Sequence, residues 1–325
     1  MISFCGLELR SPFLLAPMAG ITDPAFRSIC ADYGAALTYT EMVSAKGLIY
    51  QDKKSAELLR LGGSAPCFAQ LFGSEPEIMA AAAEKALAIS PFDGIDINMG
   101  CPVPKIVGNG EGSALMKDLR LASQIIAAVK SAVRVPVTVK FRSGFDAEHI
   151  NAPEFARMAE ASGADAVCVH GRTRTQMYSG TSDRAVVASV RQAVKIPVLA
   201  SGDALSPQAC MEILRDTGAD AVMLARGALG RPWIFEDCEA ALRGEETRLH
   251  TEDELTETLL RHAELICRQK GEGRAIREMR KHGMWYLAGL RGAKPLKLRM
   301  AQAETLADIA DICDEVKRSR LRMKR

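Results

Sequence analysis

Apolar and polar positions alternate in short runs through the first two thirds of the chain, then recur at helical spacing to its end. The runs Phe13–Met18, Leu37–Met42, Cys67–Phe72, Gly94–Met99, Val137–Phe141, Ala166–His170, Pro197–Ser201 and Ala221–Ala225 predict eight strands. Helical patterns separate them: a stretch reaching about Leu61, then Glu75–Ile89, Leu121–Val133, Pro153–Ser162, Arg184–Ala193 and Pro207–Asp216. Thr22 or Asp23 can cap the first helix, with Pro24 at an early helical position. A strand–helix alternation every ~25 to 35 residues predicts an α/β chain folded as a (β/α)8 TIM barrel. The near-repeats Ser162–Val167 and Thr217–Val222 each join a helix to a strand. A doubly wound sheet is the weaker alternative, because no Gly-x-Gly-x-x-Gly follows the first strand. After about Leu242 the strand signals stop, and Thr251–Arg268, Arg274–Leu290 and Ala301–Lys317 read as helices, with a turn around Gly289–Pro295. The expected organisation is a barrel over residues 1–242 and a smaller all-helical domain over 243–325.

In Gly94–Met99 the period of two puts Ile95 and Ile97 on one face and Asp96 and Asn98 on the other. Polar groups inside and branched apolar groups outside suit a barrel wrapped by helices. Gly100 breaks the strand, Cys101 sits just past its C-terminal end, and Pro102 and Pro104 stiffen the next few residues. The ensuing connection of about 18 residues is long enough to act as a lid. Within it, Gly108-Asn-Gly-Glu-Gly112 reads as the flexible part.

Barrel active sites lie at the C-terminal ends of the strands. The first strand ends in Pro17-Met18-Ala19, and the third carries Gln70. The fifth turns Thr138, Lys140 and Arg142 inward, and the sixth turns Cys168 and His170 inward. Lys140 and His170 are read at matching positions on adjacent strands. A buried lysine is costly unless it meets an anion or an acceptor. The last two strands end in Ser201-Gly202-Asp203 and Ala225-Arg226-Gly227. Loops at that place in barrels often bind phosphate, and Arg226 adds a charge-assisted contact. A phosphate edge, central amides, a lysine and a thiol at the rim fit flavin mononucleotide (FMN). Gln70 and Asn98 can bond the pyrimidine edge of its ring, and Lys140 can stabilise negative charge on the reduced form.

Charge sharpens the picture only by its distribution. The 42 basic and 40 acidic residues leave +2 overall, but 19 basic and 14 acidic residues give +5 from Arg243 onward and leave −3 for the rest. A basic helical end suits a polyanion. Nine cysteines without a Cys-x-x-Cys pair argue for reduced thiols, no metal site and a cytoplasmic location. No signal peptide, membrane span or obligate protein partner is evident.

Ala16-Pro-Met-Ala-Gly-Ile-Thr-Asp23, Asp96-Ile-Asn-Met-Gly-Cys-Pro102, Val139-Lys-Phe-Arg142, Val169-His-Gly-Arg-Thr-Arg174 and Gly230-Arg-Pro-Trp233 together resemble the tRNA-dihydrouridine synthases, most closely the bacterial B-type branch. Arg280-Lys-His-Gly-Met-Trp-Tyr-Leu287 resembles the signature of that family's helical domain. The resemblance implies an FMN barrel joined to a tRNA-binding helical domain, reducing selected uridines with NADPH or NADH. It implies flavin contacts at Pro17, Met18, Ala19, Gln70, Lys140 and His170. It implies a phosphate end at Ser201, Gly202, Asp203, Ala225 and Arg226, and a general acid at Cys101. Ser201 stands where the family often has Asn, and Ala225 where Gly is common. Arg142, Arg172 and Arg174 are candidates for holding the phosphates of an extruded nucleotide, and Arg280 and Lys281 for contacting tRNA. His282, Trp285 and Tyr286 recur at helical spacing and read as packing residues. Two other readings compete: a small-molecule FMN oxidoreductase of the dihydroorotate dehydrogenase kind, and a non-catalytic RNA-binding barrel. The basic helical end argues against the first, and the intact polar set against the second.

Overall fold

Polar side chains pointing into a parallel sheet are tolerated only where the sheet closes on itself and they can meet one another. The computed structural model, which describes residues 1–319, 321 and 323, closes in this way. Arg320, Arg322, Lys324 and Arg325, at the end of the expected helical domain, lie outside the described residues. Eight parallel strands follow in chain order: Phe13–Leu15, Thr38–Tyr39, Cys67–Phe72, Gly94–Met99, Val137–Arg142, Ala166–His170, Val198–Ser201 and Ala221–Leu224. The eighth pairs with the first, and the Leu15 amide donates to the Leu37 carbonyl at 2.9 Å, bringing the first strand against the second. The result is a TIM barrel with helices around it.

The outward faces behave as alternation requires. Ile95, Ile97, Val137, Val139 and Phe141 are buried in the layer between strands and helices. The bottom of the barrel holds a separate apolar cluster of Leu14, Tyr39, Phe68, Ala166, Leu199 and Ala221, closed by Phe4 and Leu9. Those two side chains come from an antiparallel hairpin, Ile2–Phe4 with Leu7–Leu9, absent from the sequence reading. Its two-residue turn needs positive φ at both positions, and Cys5 (51°) and Gly6 (80°) supply it.

Three expectations need correction. The second strand ends at Tyr39 rather than Met42, and Val43–Ser44 resumes pairing with the third strand. Between them Thr40 turns its hydroxyl to the Glu41 carbonyl and accepts the Gln70 amide, which interrupts the ladder. The connection after the fourth strand is not free: it contains a helix (Pro104–Gly108) and a 3-10 turn (Gly112–Lys117) with Ser113, Leu115 and Met116 buried. The expected helix Ala301–Lys317 is two, Lys294–Gln302 and Leu306–Arg318, because Thr305 and Asp308 form a capping box that starts the second.

Helix Ile234–Leu242 still packs on the barrel core through Ile234, Phe235 and Cys238, whereas Glu252–Lys270, Glu272–Ala288 and the two just named build their own core around Leu259, Met279, Tyr286 and Ile312. That core reaches the barrel through Ala25 and Trp233. His282 and Tyr286 are buried in it, as helical spacing predicts, and Trp285 is half-buried. Among the described residues no helix is long and apolar enough to cross a membrane.

Candidate active site

The C-terminal ends of the strands surround a cavity of about 630 Å³. Gln70, Asn98, Lys140 and His170 form its floor, and Cys101 lies at its rim. Pro17, Met18, Ala19, Ser201, Gly202, Asp203, Ala225, Arg226 and Arg142 also border it. Arg172 and Arg174 do not, and neither do Arg280 and Lys281.

The two amides of the floor belong to a polar chain across three adjacent strands. Register sets Gln70 beside Asp96, Asp96 beside Thr138, and Asn98 beside Lys140. Gln70 donates Nε2 to Asp96 Oδ2 at 2.6 Å, and its Oε1 accepts from Asn98 Nδ2 at 2.9 Å. Asn98 Oδ1 in turn accepts the Gly100 amide at 3.2 Å and the Cys101 amide at 2.9 Å. The cysteine's loop is therefore hung from the strand's last inward polar residue. From the other side, Ser113 donates its amide and its hydroxyl to the Cys101 carbonyl. Gly112 makes that approach possible: its φ is +60°, and a Cβ there would stand 2.9 Å from the Cys101 carbonyl oxygen. What reads as a flexible glycine in the sequence is a packed one.

The Lys140 side chain makes no hydrogen bond or ion pair to any described residue, so its ammonium is left for the cavity. It is not level with His170, as expected. Lys140 pairs with Cys168, and His170 pairs with Arg142, one step nearer the rim. Burial, with Lys140, Arg142, Arg172 and Arg226 acting in the same sense, drives the His170 imidazole down to about 2. The ring is neutral at physiological pH. Burial pushes the Cys101 thiol up, against the Val103 amide and the charges of Arg142 and Lys140. The thiol keeps its proton at neutral pH.

The loops after the seventh and eighth strands pack closely. Gly202 has φ +112°, and a Cβ there would lie 2.5 Å from Ser182 Oγ, so only glycine fits. Asp203 follows at φ +54°. Its carboxylate accepts Arg172 Nη2 at 2.9 Å, the Ser182 amide at 2.8 Å and Arg226 Nη2 at 3.2 Å. Burial opposes its charge, but these donors prevail and hold the carboxyl below its ordinary value. The Arg172 guanidinium is buried and spent on Asp203 and on the carbonyls of Ser179 and Gly180. Arg142 is also buried, donating to the carbonyls of Gly100, Thr173 and Met177. Arg174 stacks over Phe145 at 5.2 Å. Arg280 donates Nε to the Ala303 carbonyl at 2.8 Å, and Lys281 donates Nζ to the Gly20 carbonyl at 2.5 Å. Lys281 lines a second cavity of about 440 Å³ between barrel and helices, with Asp23, Glu41, Arg60, Lys270 and Glu278.

Several lining residues carried no signal in the sequence. Tyr178 stands at the rim between Arg142 and Arg226, whose guanidinium carbons lie 5.8 and 5.5 Å from its ring centre. Met42, Ile106 and Leu229 add apolar wall. Asp96 was legible as an inward carboxylate, but its place beneath Gln70 depends on register.

Comparison with known proteins gives the family. The family model described as "Dihydrouridine synthase (Dus)" matches residues 14–321. The chain is 41% identical over 307 residues to "tRNA-dihydrouridine synthase B" of Pseudomonas putida, covering 94% of this chain and 91% of that one. It is 41% identical to a "Probable tRNA-dihydrouridine synthase" of Rickettsia conorii, over 89% of this chain and 88% of that one. Histamine dehydrogenase from Rhizobium sp. 4-9 shares the fold, with a TM-score of 0.57 and 14% identity over 81% of this chain and 50% of that one. This chain is an enzyme of the dihydrouridine synthase family.

Proposed function

We propose that the chain reduces selected uridines in tRNA to 5,6-dihydrouridine, with FMN in the barrel, NADPH or NADH as reductant and Cys101 as general acid. The observation that carries this reading is the amide chain from Gln70 through Asn98 to Cys101 on the floor of one cavity. That cavity is of cofactor size and mostly apolar. The residues fit FMN. Gln70 and Asn98 line it with side-chain amides, the Lys140 ammonium has no partner among the described residues, and Gly202 lets the backbone approach a phosphate. Pro17, Met18 and Ala19 would cover the ring, and Ser201, Asp203, Ala225 and Arg226 would meet the phosphate end.

FMN, when bound, supplies the hydride for carbon 6 of the uracil. The protein's own part is to hold the base and deliver a proton to carbon 5. Cys101 is suited to this because its thiol stays protonated and its loop is fixed at both ends. His170, being neutral, can donate or accept a hydrogen bond without adding charge. A base stacked in an RNA helix must be extruded to reach this depth. Arg142 lies at the mouth where its backbone would pass, and Arg172 and Arg174 support the adjoining loop. We assign residues 1–242 to catalysis and 243–325 to tRNA binding, with Arg280 and Lys281 among the contacts. A cytoplasmic location suits nine free thiols and a tRNA substrate. A small-molecule FMN oxidoreductase would share the floor but would have no use for the basic helical end.

The test is direct. Purified protein should carry FMN, and it should form dihydrouridine in tRNA from cells lacking the protein, given NADPH. Folded protein that takes up no FMN, or FMN-loaded protein that leaves such tRNA unreduced, would refute the assignment.

A further inference from the structure

Asp96 is buried in the barrel with one hydrogen bond to each neighbouring strand. Its Oδ2 accepts Gln70 Nε2 at 2.6 Å, and its Oδ1 accepts the Thr138 hydroxyl at 2.5 Å. It does not border the cavity, and the chemistry proposed above does not use it. A carboxylate accepts and never donates, whereas a primary amide can do either, depending on which way it is turned. Gln70 and Asn98 could each be reversed without changing shape. Their orientation must therefore come from a neighbour that has no choice.

We propose that Asp96 is the positioning residue of this site: its buried carboxylate fixes the amide orientation of Gln70, and through Gln70 that of Asn98 and the seating of Cys101. The constraint can be followed outward from Asp96. Facing Asp96, Gln70 must present Nε2, so its Oε1 faces Asn98. Asn98 must then present Nδ2 to Gln70, so its Oδ1 faces the backbone. There it meets two amide donors, Gly100 and Cys101. The far end makes the same demand independently, since only an oxygen can accept those two N–H groups. Both ends agree, and Gln70 Nε2 keeps a second hydrogen with no acceptor among the described residues, while the second hydrogen of Asn98 faces the Met42 sulfur at 3.7 Å. A donor at Gln70 suits a ligand edge that offers an acceptor, as a flavin's pyrimidine edge does. Burial raises the Asp96 carboxyl to about 6, while Gln70, Thr138 and the Lys140 charge pull it back, which keeps the anion dominant at neutral pH.

Asp96→Asn is the informative change. An asparagine at this position can satisfy Gln70 and Thr138 in either orientation, so the volume and bonding survive but the lock is held only from the Cys101 end. Its benefit for FMN binding rests on the flavin reading; its effect on Cys101 does not. The experiment compares full-length wild type with Asp96→Asn, measuring FMN affinity by fluorescence titration and hydrogen exchange at the Cys101 amide. We expect about tenfold weaker FMN binding and faster Cys101 exchange, with exchange in the barrel strands unchanged. Wild-type affinity together with wild-type Cys101 exchange would overturn the proposal. If wild type takes up no FMN, the flavin reading fails, and Cys101 exchange still decides the role of Asp96. Should the variant not fold, a crystal structure of wild type at atomic resolution decides instead. Amide hydrogens of Gln70 facing Asp96 support the lock, and a Gln70 carbonyl facing Asp96 refutes it.

Discussion

At the scale of residues, the proposed function assigns two side chains of this cavity separable work, and mutation tests that assignment. Cys101 is held at the rim by its own amide and carbonyl, neither of which belongs to the thiol. Cys101→Ala should leave the loop in place, keep FMN and still be reduced by NADPH. It should lose about 10²–10⁴-fold in turnover, the usual value of a positioned general acid. Lys140 lies deeper and points its charge at the cavity, so Lys140→Ala should weaken flavin binding or slow its reduction. Stopped-flow flavin absorbance, with and without tRNA, separates the two. Wild-type oxidation by tRNA in Cys101→Ala would remove the thiol from the mechanism. The sequence made this site legible residue by residue because a strand's period of two says which side chains face inward. It could not reveal who faces whom across strands. Lys140 therefore read as level with His170, and Asp96 as an inward polar residue without a partner.

At the scale of elements, legibility followed length and signal. Gly94–Met99, Ala166–His170 and Arg184–Ala193 match their sequence patterns end to end. The N-terminal hairpin escaped notice because its strands have three residues each, too few for a period to register. The segment joining barrel and terminal helices also escaped, and its chemistry is informative. His250 offers Nδ1 to Glu254 at 3.0 Å and Nε2 to Asp237 at 2.9 Å, and its ring stacks on Trp233. Two carboxylates on two ring nitrogens suit only the imidazolium. Burial opposes that charge, but Asp237 and Glu254 outweigh it, and the imidazole is raised above its ordinary value. Glu236 joins His250 and Glu254 in a group with metal-ligand character, but Arg248 already bonds both carboxylates. A raised histidine contributes stability that is complete below the unfolded value near 6.5 and is lost as pH rises through the higher folded value. His250→Gln should therefore melt below wild type at about pH 6, and the gap should narrow toward alkaline pH. A pH-independent difference in thermal unfolding would mean that the ring matters only for packing.

At the scale of the whole molecule, the question is how a basic helical end is held against a barrel. The seat is built from both kinds of contact. Phe26, on the barrel's first helix, lies 5.5 Å from the His262 ring and 5.6 Å from the His282 ring. Lys270 bridges Asp23 at 2.8 Å and Glu278 at 2.5 Å, and Arg274 reaches Glu57 at 3.1 Å. Gly230 lies so close to the Trp285 backbone that a Cβ would collide with its carbonyl group. Two motifs far apart in sequence thus touch. Arg280 and Lys281 sit beside this seat, each with one donor used on a carbonyl, Ala303 for the first and Gly20 for the second. They can act as phosphate contacts or as ties between parts, and salt separates these roles. Each phosphate contact removed should flatten the slope of log affinity against log salt by about 0.9. Loss of a tie instead lowers affinity at every salt concentration without changing the slope. For Arg280→Ala with Lys281→Ala we expect weaker tRNA binding and a flatter slope, measured by filter binding across a salt series. A fall in affinity at constant slope would make both residues structural, and no change in either would take them out of tRNA recognition.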